Sequence, residues 1–210
     1  MSGPARRRAV QARSRDTVNR ILAAATAVIV ERGADLATMS EIARRAEVSM
    51  ASLYQYFPDK RGVVSALFER HTDEIRSGLT RSLADAGSLE GLLGRFAGLV
   101  RRYFQEHRQN GAVRSLWAAV QVDPALQALD AADSLRNARL LYEAARPFYG
   151  EVDDSRLMAT CALAMQLCAA AAQFALAMPE DLAIVSADVY ADMVGRAFEA
   201  LSRGDGAEAY

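Results

Sequence analysis

The chain is poor in the residues that build disulfide scaffolds, metal sites and fibres. Two cysteines among 210 residues exclude a disulfide framework. Because there are also only two histidines, no zinc site is expected. Five prolines and thirteen glycines are too few for a fibrous or low-complexity protein. The sequence therefore predicts no metal and no cofactor, and its 51% of apolar residues predict an ordinary globular core.

The sequence also lacks the residue clusters that mark a catalytic centre. It contains no Ser-His-Asp arrangement and no phosphate-binding glycine-rich loop, and neither His71 nor His107 has a metal-ligand cluster beside it. If Cys161 and Cys168 share a helix, they lie about 10 Å apart along its axis and cannot pair within it. An enzyme built on a helical bundle is therefore an alternative with little support.

Long uncharged runs are few, and one of them requires an explanation. Residues 157–179 contain no charged side chain, and a helix of that length could span a bilayer. The run is rich in alanine, however, and its flanks are mostly acidic, which is unfavourable for a membrane anchor. We interpret it as a helix buried in the core or in a subunit interface, and we expect a cytoplasmic protein.

The basic side chains are unevenly distributed along the chain. Residues 1–70 carry 12 basic and 7 acidic side chains, whereas residues 71–210 carry 13 and 19. This asymmetry predicts two modules and a polyanionic partner for the first. Five arginines between residues 6 and 15 make residues 1–13 a flexible basic leader, which either adds nonspecific phosphate contacts or is passive. The only lysine is Lys60.

Apolar residues follow helical spacing along nearly the whole chain, and no strand-like alternation stands out. The sequence predicts an all-α protein of about nine helices. The first helix should run from about Ser14 to Arg32, with Gly33 as its stop. Later breaks are expected at Ala86–Ser88, Asn110–Gly111, Asp123–Pro124, Gly150–Asp154 and Pro179–Asp181.

Two short helices after Gly33 carry clear start and stop signals. Thr38 and Glu41 have the spacing of a capping box, in which each side chain bonds the other residue's backbone amide. Ser49 is the natural N-cap of the next helix. That helix should end before Pro58, because the residue preceding a proline disfavours the helical conformation. A pair of helices joined by so short a turn has helix-turn-helix geometry.

Residues 17–68 resemble the TetR family of bacterial transcriptional regulators. The shared pattern is Thr38-x-x-x-Ile42-Ala43-x-x-Ala46-x-Val48-Ser49-x-x-x-Leu53-Tyr54-x-x-Phe57-x-x-Lys60, preceded by Ile21, Ala24, Ala25 and Gly33 of the first helix. The resemblance implies a homodimer that binds double-stranded DNA at a two-fold operator. It also implies a C-terminal helical domain that dimerises and binds a small-molecule effector.

The resemblance also implies which side chains contact DNA. The phosphate contacts would be Thr38, Ser49, Tyr54, Tyr56 and Lys60. The base-facing positions would be Met50, Ala51, Ser52 and Gln55, with Ser40 and Arg45 as additions. Hydroxyls, a lysine and helix N-termini are groups that bind phosphate, and Gln55 could read an adenine edge.

Two positions depart from the family pattern. Glu47 occupies the turn where the family often has glycine, and a left-handed residue other than glycine costs about 1 kcal/mol. Its carboxylate is also expected near the DNA side, where it would weaken affinity. Tyr56 stands where the family often has histidine.

The acidic remainder of the chain provides material for a dimer interface and for a ligand pocket. The uncharged helix of residues 157–178 and the last helix, of residues 182–202, are expected to form a four-helix interface between subunits. The last helix has a heptad-like apolar seam of Ile184, Ala187, Ala191, Val194, Phe198 and Leu201. Candidate pocket residues, any of which could equally be plain core, are Phe96, Tyr103, Phe104, Trp117, Gln121, Tyr142, Phe148, Cys161, Met165, Gln166 and Phe174.

Taken together, the sequence predicts a DNA-binding transcriptional regulator. The expected organisation is the leader 1–13, a helix-turn-helix domain 14–60, a ligand-binding and dimerisation domain 61–203, and a flexible tail 204–210. We expect a repressor that a small apolar or aromatic effector releases from its operator. A regulator without a small-molecule ligand and an activator remain alternatives.

Overall fold

The computed structural model describes the backbone of residues 4–202 and the side chains of residues 11–202, so the expected tail 204–210 lies outside the described residues. The described part is all-helical, as predicted. Its nine α-helices, with a short 3-10 turn at Arg146–Phe148, are α1 (Pro4–Arg32), α2 (Met39–Arg45), α3 (Met50–Tyr56), α4 (Lys60–Leu83), α5 (Leu89–Gln109), α6 (Gly111–Val122), α7 (Pro124–Ala145), α8 (Asp154–Ala175) and α9 (Glu180–Ser202).

Helix α1 begins at Pro4, ten residues before the expected start near Ser14. No glycine or further proline interrupts residues 5–13, which are mostly alanine, arginine and other good helix formers. Proline suits the first turn of a helix, because its missing amide would have no partner there. The residues expected to form a flexible leader therefore continue the helix from Pro4 onward. At the other end, Gly33 stops α1 as predicted, with a φ of 82°.

The chain forms two compact units, and their boundary differs from the expected one. The N-terminal unit contains the described residues up to His71 and also Gly111–Leu126, so α6 belongs to it. Helix α6 buries Val113, Leu116, Trp117 and Val120. The Trp117 ring packs edge-on against Phe68 of α4, with ring centroids 5.5 Å apart. The sequence could not reveal this return, because an amphipathic helix does not specify which neighbour its apolar face covers.

The core of the N-terminal unit joins α1 to the short helices. Ile21, Val28, Ile42 and Leu53 are at most 1% exposed, and α1 packs on both α2 and α6. Leu53 is the only buried residue of α3. A seven-residue helix anchored by one apolar side chain leaves the rest of its surface free.

In the described part of the chain the second unit contains residues 72–110 and 127–202, and its core is built by α5, α8 and α9 with side chains from the end of α4 and from α7. The heptad-like seam of α9 corrects an expectation. Ala187, Ala191, Val194, Phe198 and Leu201 are buried within this unit, so the seam packs inside the protomer and is not free for a partner. Ile184 of the same seam is exposed.

Helices α8 and α9 instead expose a different set of apolar side chains, which we call the apolar stripes. The residues of each stripe recur at helical spacing. The α8 stripe consists of Leu163, Leu167 and Phe174. The α9 stripe consists of Leu182, Val185, Val189 and Met193. Among the described helices, α8 is long and apolar enough to cross a membrane, with a mean hydropathy of 1.5. This is weak support for a membrane, because α8 also packs on α5 and α9.

Candidate nucleic-acid interface

The turn between α2 and α3 closes α2 with a double hydrogen bond. The Val48 amide donates to the Ala43 carbonyl at 3.1 Å, and the Glu47 amide donates to the Arg44 carbonyl at 3.3 Å. This pair of bonds is the Schellman motif, which requires a left-handed residue after the cap. Glu47 is that residue, with a φ of 53°. The conformation expected from the glycine-to-glutamate departure is therefore present.

Both short helices begin with the predicted side-chain caps. Thr38 Oγ1 accepts from the Glu41 amide at 3.3 Å, and Ser49 Oγ accepts from the Ser52 amide at 3.1 Å. The Glu41 carboxylate lies 3.2 Å from the Arg32 guanidinium, an ion pair that the capping-box prediction did not include. The two caps set the starting points of α2 and α3 and thereby orient the outer face of α3.

The outer face of α3 consists of exposed short, polar or flexible side chains. Met50, Ala51, Tyr54 and Gln55 are exposed, and their spacing places them on one side of the helix. Ser52 and Tyr56 are half-buried at its edges, while Ser49, Thr38 and Ser40 are exposed at the helix starts. Ten of the eleven predicted DNA-contact residues thus lie in or beside the α2–α3 pair, and Lys60 begins the helix that follows.

Two of the predicted cations already have partners in the protein. Arg45 forms a two-point ion pair with Glu31 of α1, with distances of 2.8 and 2.9 Å. The hydrogen bond from Arg45 lowers the pKa of the Glu31 carboxyl, and the same bond raises the pKa of the Arg45 guanidinium. The Lys60 ammonium donates to the carbonyls of Ala34 and Asp35 at 2.9 and 2.8 Å. Lys60 therefore ties the start of α4 to the loop that follows α1.

The predicted ligand residues fall into three groups. Seven of them belong to, or pack on, the core of the second unit: Phe96, Tyr103, Phe104, Tyr142, Phe148, Cys161 and Met165. Gln166 lies beside them on α8 and donates to Asp130 at 3.1 Å. Trp117 and Gln121 belong to the N-terminal unit, and Phe174 lies in the exposed α8 stripe.

Sequence reasoning missed a polar cluster on α7 in the second unit. Asp130, Asp133 and Asn137 recur at helical spacing, and the last two are buried. Asp133 accepts hydrogen bonds from Arg76, from Arg136 at 3.2 Å and from Asn137 at 2.9 Å. The spacing of these polar residues was the available signal, although exposed helix faces show the same pattern. No group of three metal-binding side chains occurs among residues 11–202.

Comparison with known proteins identifies the class. Residues 21–67 match the model of bacterial regulatory proteins of the tetR family, and residues 90–188 match the model of the tetracyclin repressor-like C-terminal domain. The two matches together cover more than two-thirds of the chain. The chain belongs to the TetR family, whose members are transcriptional regulators and not enzymes.

Two of the curated relatives match a short stretch of the chain. An uncharacterised HTH-type transcriptional regulator of Mycobacterium tuberculosis (strain ATCC 25618 / H37Rv) is 40% identical over 60 residues, which are 29% of this chain and 32% of the relative. The HTH-type transcriptional activator FasR of Mycolicibacterium smegmatis is 44% identical over 63 residues, 30% of this chain and 29% of FasR. The chain thus spans about a third of the length of these relatives.

Solved structures match nearly the whole fold. SmeT, the repressor of the Stenotrophomonas maltophilia multidrug efflux pump SmeDEF, has a TM-score of 0.68 at 20% identity. The match covers 87% of this chain and 91% of SmeT. A complex of SmeT with triclosan gives a TM-score of 0.66 at 19% identity, covering 86% and 90% of the two chains. At this identity the likeness shows a shared fold.

Proposed function

We propose that this chain is a homodimeric, sequence-specific DNA-binding repressor of the cytoplasm, released from a two-fold operator by a small effector that is largely apolar or aromatic. The observation that carries the proposal is the outer face of α3. It is exposed, carries no acidic side chain, and starts at a serine cap in a chain of the TetR family. Such a face can enter a major groove about 12 Å wide without obstruction.

The base contacts would come from the centre of this face and the phosphate contacts from its rim. Gln55 can pair with the N6 and N7 edge of an adenine, and Ala51 and Met50 can contact a thymine methyl. The hydroxyls of Thr38, Ser49, Tyr54 and Tyr56 can donate to phosphates, which sets register without reading sequence. Only Gln55 is equipped for a two-point base contact without breaking an ion pair, so DNA shape would contribute to selectivity.

A homodimer would be held by the apolar stripes of α8 and α9. Their leucines, valines, phenylalanine and methionine are about half exposed or more, and an apolar surface of this extent marks an interaction site. A two-fold dimer presents two α3 helices to half-sites that lie about 34–36 Å apart.

Effector binding in the second unit would act by shifting a conformational equilibrium. An effector can change operator affinity only by its differential affinity for two conformers, typically about 1–3 kcal/mol. Helix α4 is the proposed lever, because it contributes residues to both units and only three residues separate it from α3. The SmeT–triclosan complex supports the view that this fold accommodates a small molecule.

Two experiments test this proposal. Wild-type protein is titrated, at a stated near-physiological salt, with its own upstream DNA and with a scrambled duplex of equal length. A preference of about 10³ or more supports a sequence-specific regulator, and equal weak binding contradicts it. A thermal-shift screen against a hydrophobic compound library then identifies ligands, and each hit is titrated with and without operator. Ligand binding that is independent of DNA would contradict effector release.

Activation of transcription is a second candidate, and the name of FasR favours it. A reporter placed behind the operator separates the two functions, since deletion of a repressor raises expression and deletion of an activator lowers it. A regulator without a small-molecule ligand would show normal operator binding and no hit in the thermal-shift screen.

A further inference from the structure

The second unit contains a half-buried carboxylate that has no cationic partner among the side chains the structure describes. The carboxylate of Asp130 accepts one hydrogen bond in the described part of the chain, from the uncharged amide of Gln166 at 3.1 Å. The nearby Asp133 differs, because it pairs with Arg76 and Arg136. Burial raises the pKa of the Asp130 carboxyl, the Gln166 hydrogen bond partly opposes this rise, and the charge of Asp133 raises it further. Asp130 therefore carries a charge that its surroundings disfavour.

Two side chains of α5 and α8 accompany this carboxylate. Tyr103 and Cys168 are each half-buried. Loss of hydration raises the pKa of the Cys168 thiol to about 12 and the pKa of the Tyr103 hydroxyl well above its ordinary value. Asp130 and Asp133 are among the charges that raise the Tyr103 pKa, so both carboxylates lie close to the Tyr103 side chain. Apolar side chains around a few polar groups are the combination that ligand sites use.

A second, independent acceptor lies on the same face of α7. Asn137 is 7% exposed, and its Oδ1 has no hydrogen-bond partner among residues 11–202. The orientation of its amide is determined by Asp133, which accepts from Nδ2 at 2.9 Å. A flipped amide would place two oxygens against each other. A buried acceptor without a donor destabilises the folded protein, and a bound molecule that carries N–H groups would remove that cost.

We propose that the effector is an organic cation, an aromatic or apolar molecule with a protonated nitrogen that pairs with Asp130 between α5, α7 and α8. This inference rests on the proposed ligand-responsive function and specifies its ligand class. Asp130 supplies the counter-charge and Gln166 holds that carboxylate in place. The Tyr103 ring supplies an apolar surface with a negative face, which attracts cations. Asn137 accepts from a second N–H group or from a bound water.

Three ligands of one shape and different charge test the ligand class. They are 4-phenylbutylammonium, neutral 4-phenylbutanol and anionic 4-phenylbutyrate, each titrated calorimetrically into the full-length protein without DNA. The wild type should prefer the ammonium over the alcohol by about tenfold or more, since pairing with a desolvated charge is worth at least that factor. The anion should bind most weakly.

Substitution of the counter-ion identifies the residue responsible. Asp130→Asn keeps the shape and removes the charge, so the preference for the ammonium should disappear while the alcohol binds as before. Asp16→Asn, which removes an exposed carboxylate of α1, should leave the preference intact. Asp130→Asn should unfold at the wild-type temperature or above it, because burial disfavours the charge that it removes.

Several results would overturn the inference. If the alcohol or the anion binds wild type as well as the ammonium does, or if Asp130→Asn retains the preference, the effector is not a cation held by Asp130. In that case hits from the thermal-shift screen that release operator would leave the proposed function standing. Absence of binding by all three ligands also overturns the inference, and an empty screen would then remove effector release as well.

Discussion

Arg45 of α2 and Glu31 of α1 form a two-point ion pair, with distances of 2.8 and 2.9 Å between guanidinium nitrogens and carboxylate oxygens. The resemblance to TetR regulators makes Arg45 a candidate DNA contact, and the structure engages the same side chain within the protein. We therefore propose that DNA and Glu31 compete for one guanidinium.

Release of Arg45 should strengthen nonspecific DNA binding. In Glu31→Gln the guanidinium loses its charged partner and becomes free to neutralise a phosphate. The slope of log K against log salt should steepen by about 0.9, the value for one additional phosphate contact on duplex DNA. Titrations at several salt concentrations measure this slope. Glu74→Gln, at an exposed carboxylate of α4, is the control. An unchanged slope in Glu31→Gln would mean that Arg45 does not reach DNA.

The left-handed backbone conformation of Glu47 should lower the stability of the folded protein. Its φ of 53° is one that glycine adopts without a steric penalty, so Glu47→Gly should raise the free energy of unfolding by about 1 kcal/mol. Glu47→Ala removes the carboxylate but keeps the β-carbon, and it should give no such gain. Chemical denaturation of both variants separates strain from charge. Equal stabilisation by the two variants would attribute the effect to the carboxylate.

Lys60 should stabilise the loop that follows α1. Its ammonium donates to two backbone carbonyls, those of Ala34 and Asp35, and hydrogen bonds from charged donors contribute about 1.5–3 kcal/mol. Lys60→Met keeps the length of the side chain and should lower the free energy of unfolding by about that amount. If Lys60 contacts a DNA phosphate as the resemblance implies, the DNA affinity of Lys60→Met should depend less steeply on salt concentration. A variant of normal stability with a reduced salt slope would favour the phosphate role.

The proposed dimer interface can be tested with two leucines of nearly equal exposure. Leu167 lies in the α8 stripe and is 51% exposed, whereas Leu135 of α7 lies outside the stripes and is 52% exposed. Leu167→Glu should dissociate the dimer and weaken operator binding at least about 100-fold, because it would bury an unpaired charge. Leu135→Glu should remain dimeric. Size-exclusion chromatography coupled to light scattering measures the oligomeric state of both variants. A dimeric Leu167→Glu variant would exclude the α8 stripe as part of the dimer interface.

Local signals in the sequence predicted the ends of α1, α2 and α3 well, apart from the start of α1, which lies ten residues earlier than expected. The caps at Thr38 and Ser49, the stop at Gly33 and the left-handed Glu47 are each determined within a few residues of chain. Such features follow from backbone sterics and short-range hydrogen bonds, which the sequence states directly.

The sequence did not reveal which partner a helix face packs against or which helices are neighbours. The residues of the α9 seam lie 3, 4, 3, 4 and 3 positions apart, and this spacing would be the same whether the seam faced its own protomer or a partner. The burial of Phe198 shows that the seam faces its own protomer. The return of α6 to the N-terminal unit depends on the fit between Trp117 and Phe68. Among the described side chains Asp130 has Gln166 and no cation as its partner, and this pairing follows from the packing of α7 on α8, which the sequence does not reveal.

The central claim is that the outer face of α3 reads DNA, and one comparison tests it most directly. Wild type, Tyr54→Ala and Gln55→Ala are titrated with the protein's own upstream DNA and with a scrambled duplex at one stated salt concentration. Tyr54→Ala should weaken binding to both duplexes, since a phosphate contact carries no sequence information. Gln55→Ala should lose about 1–3 kcal/mol on the operator alone. Unchanged binding and unchanged preference in both variants would contradict the claim.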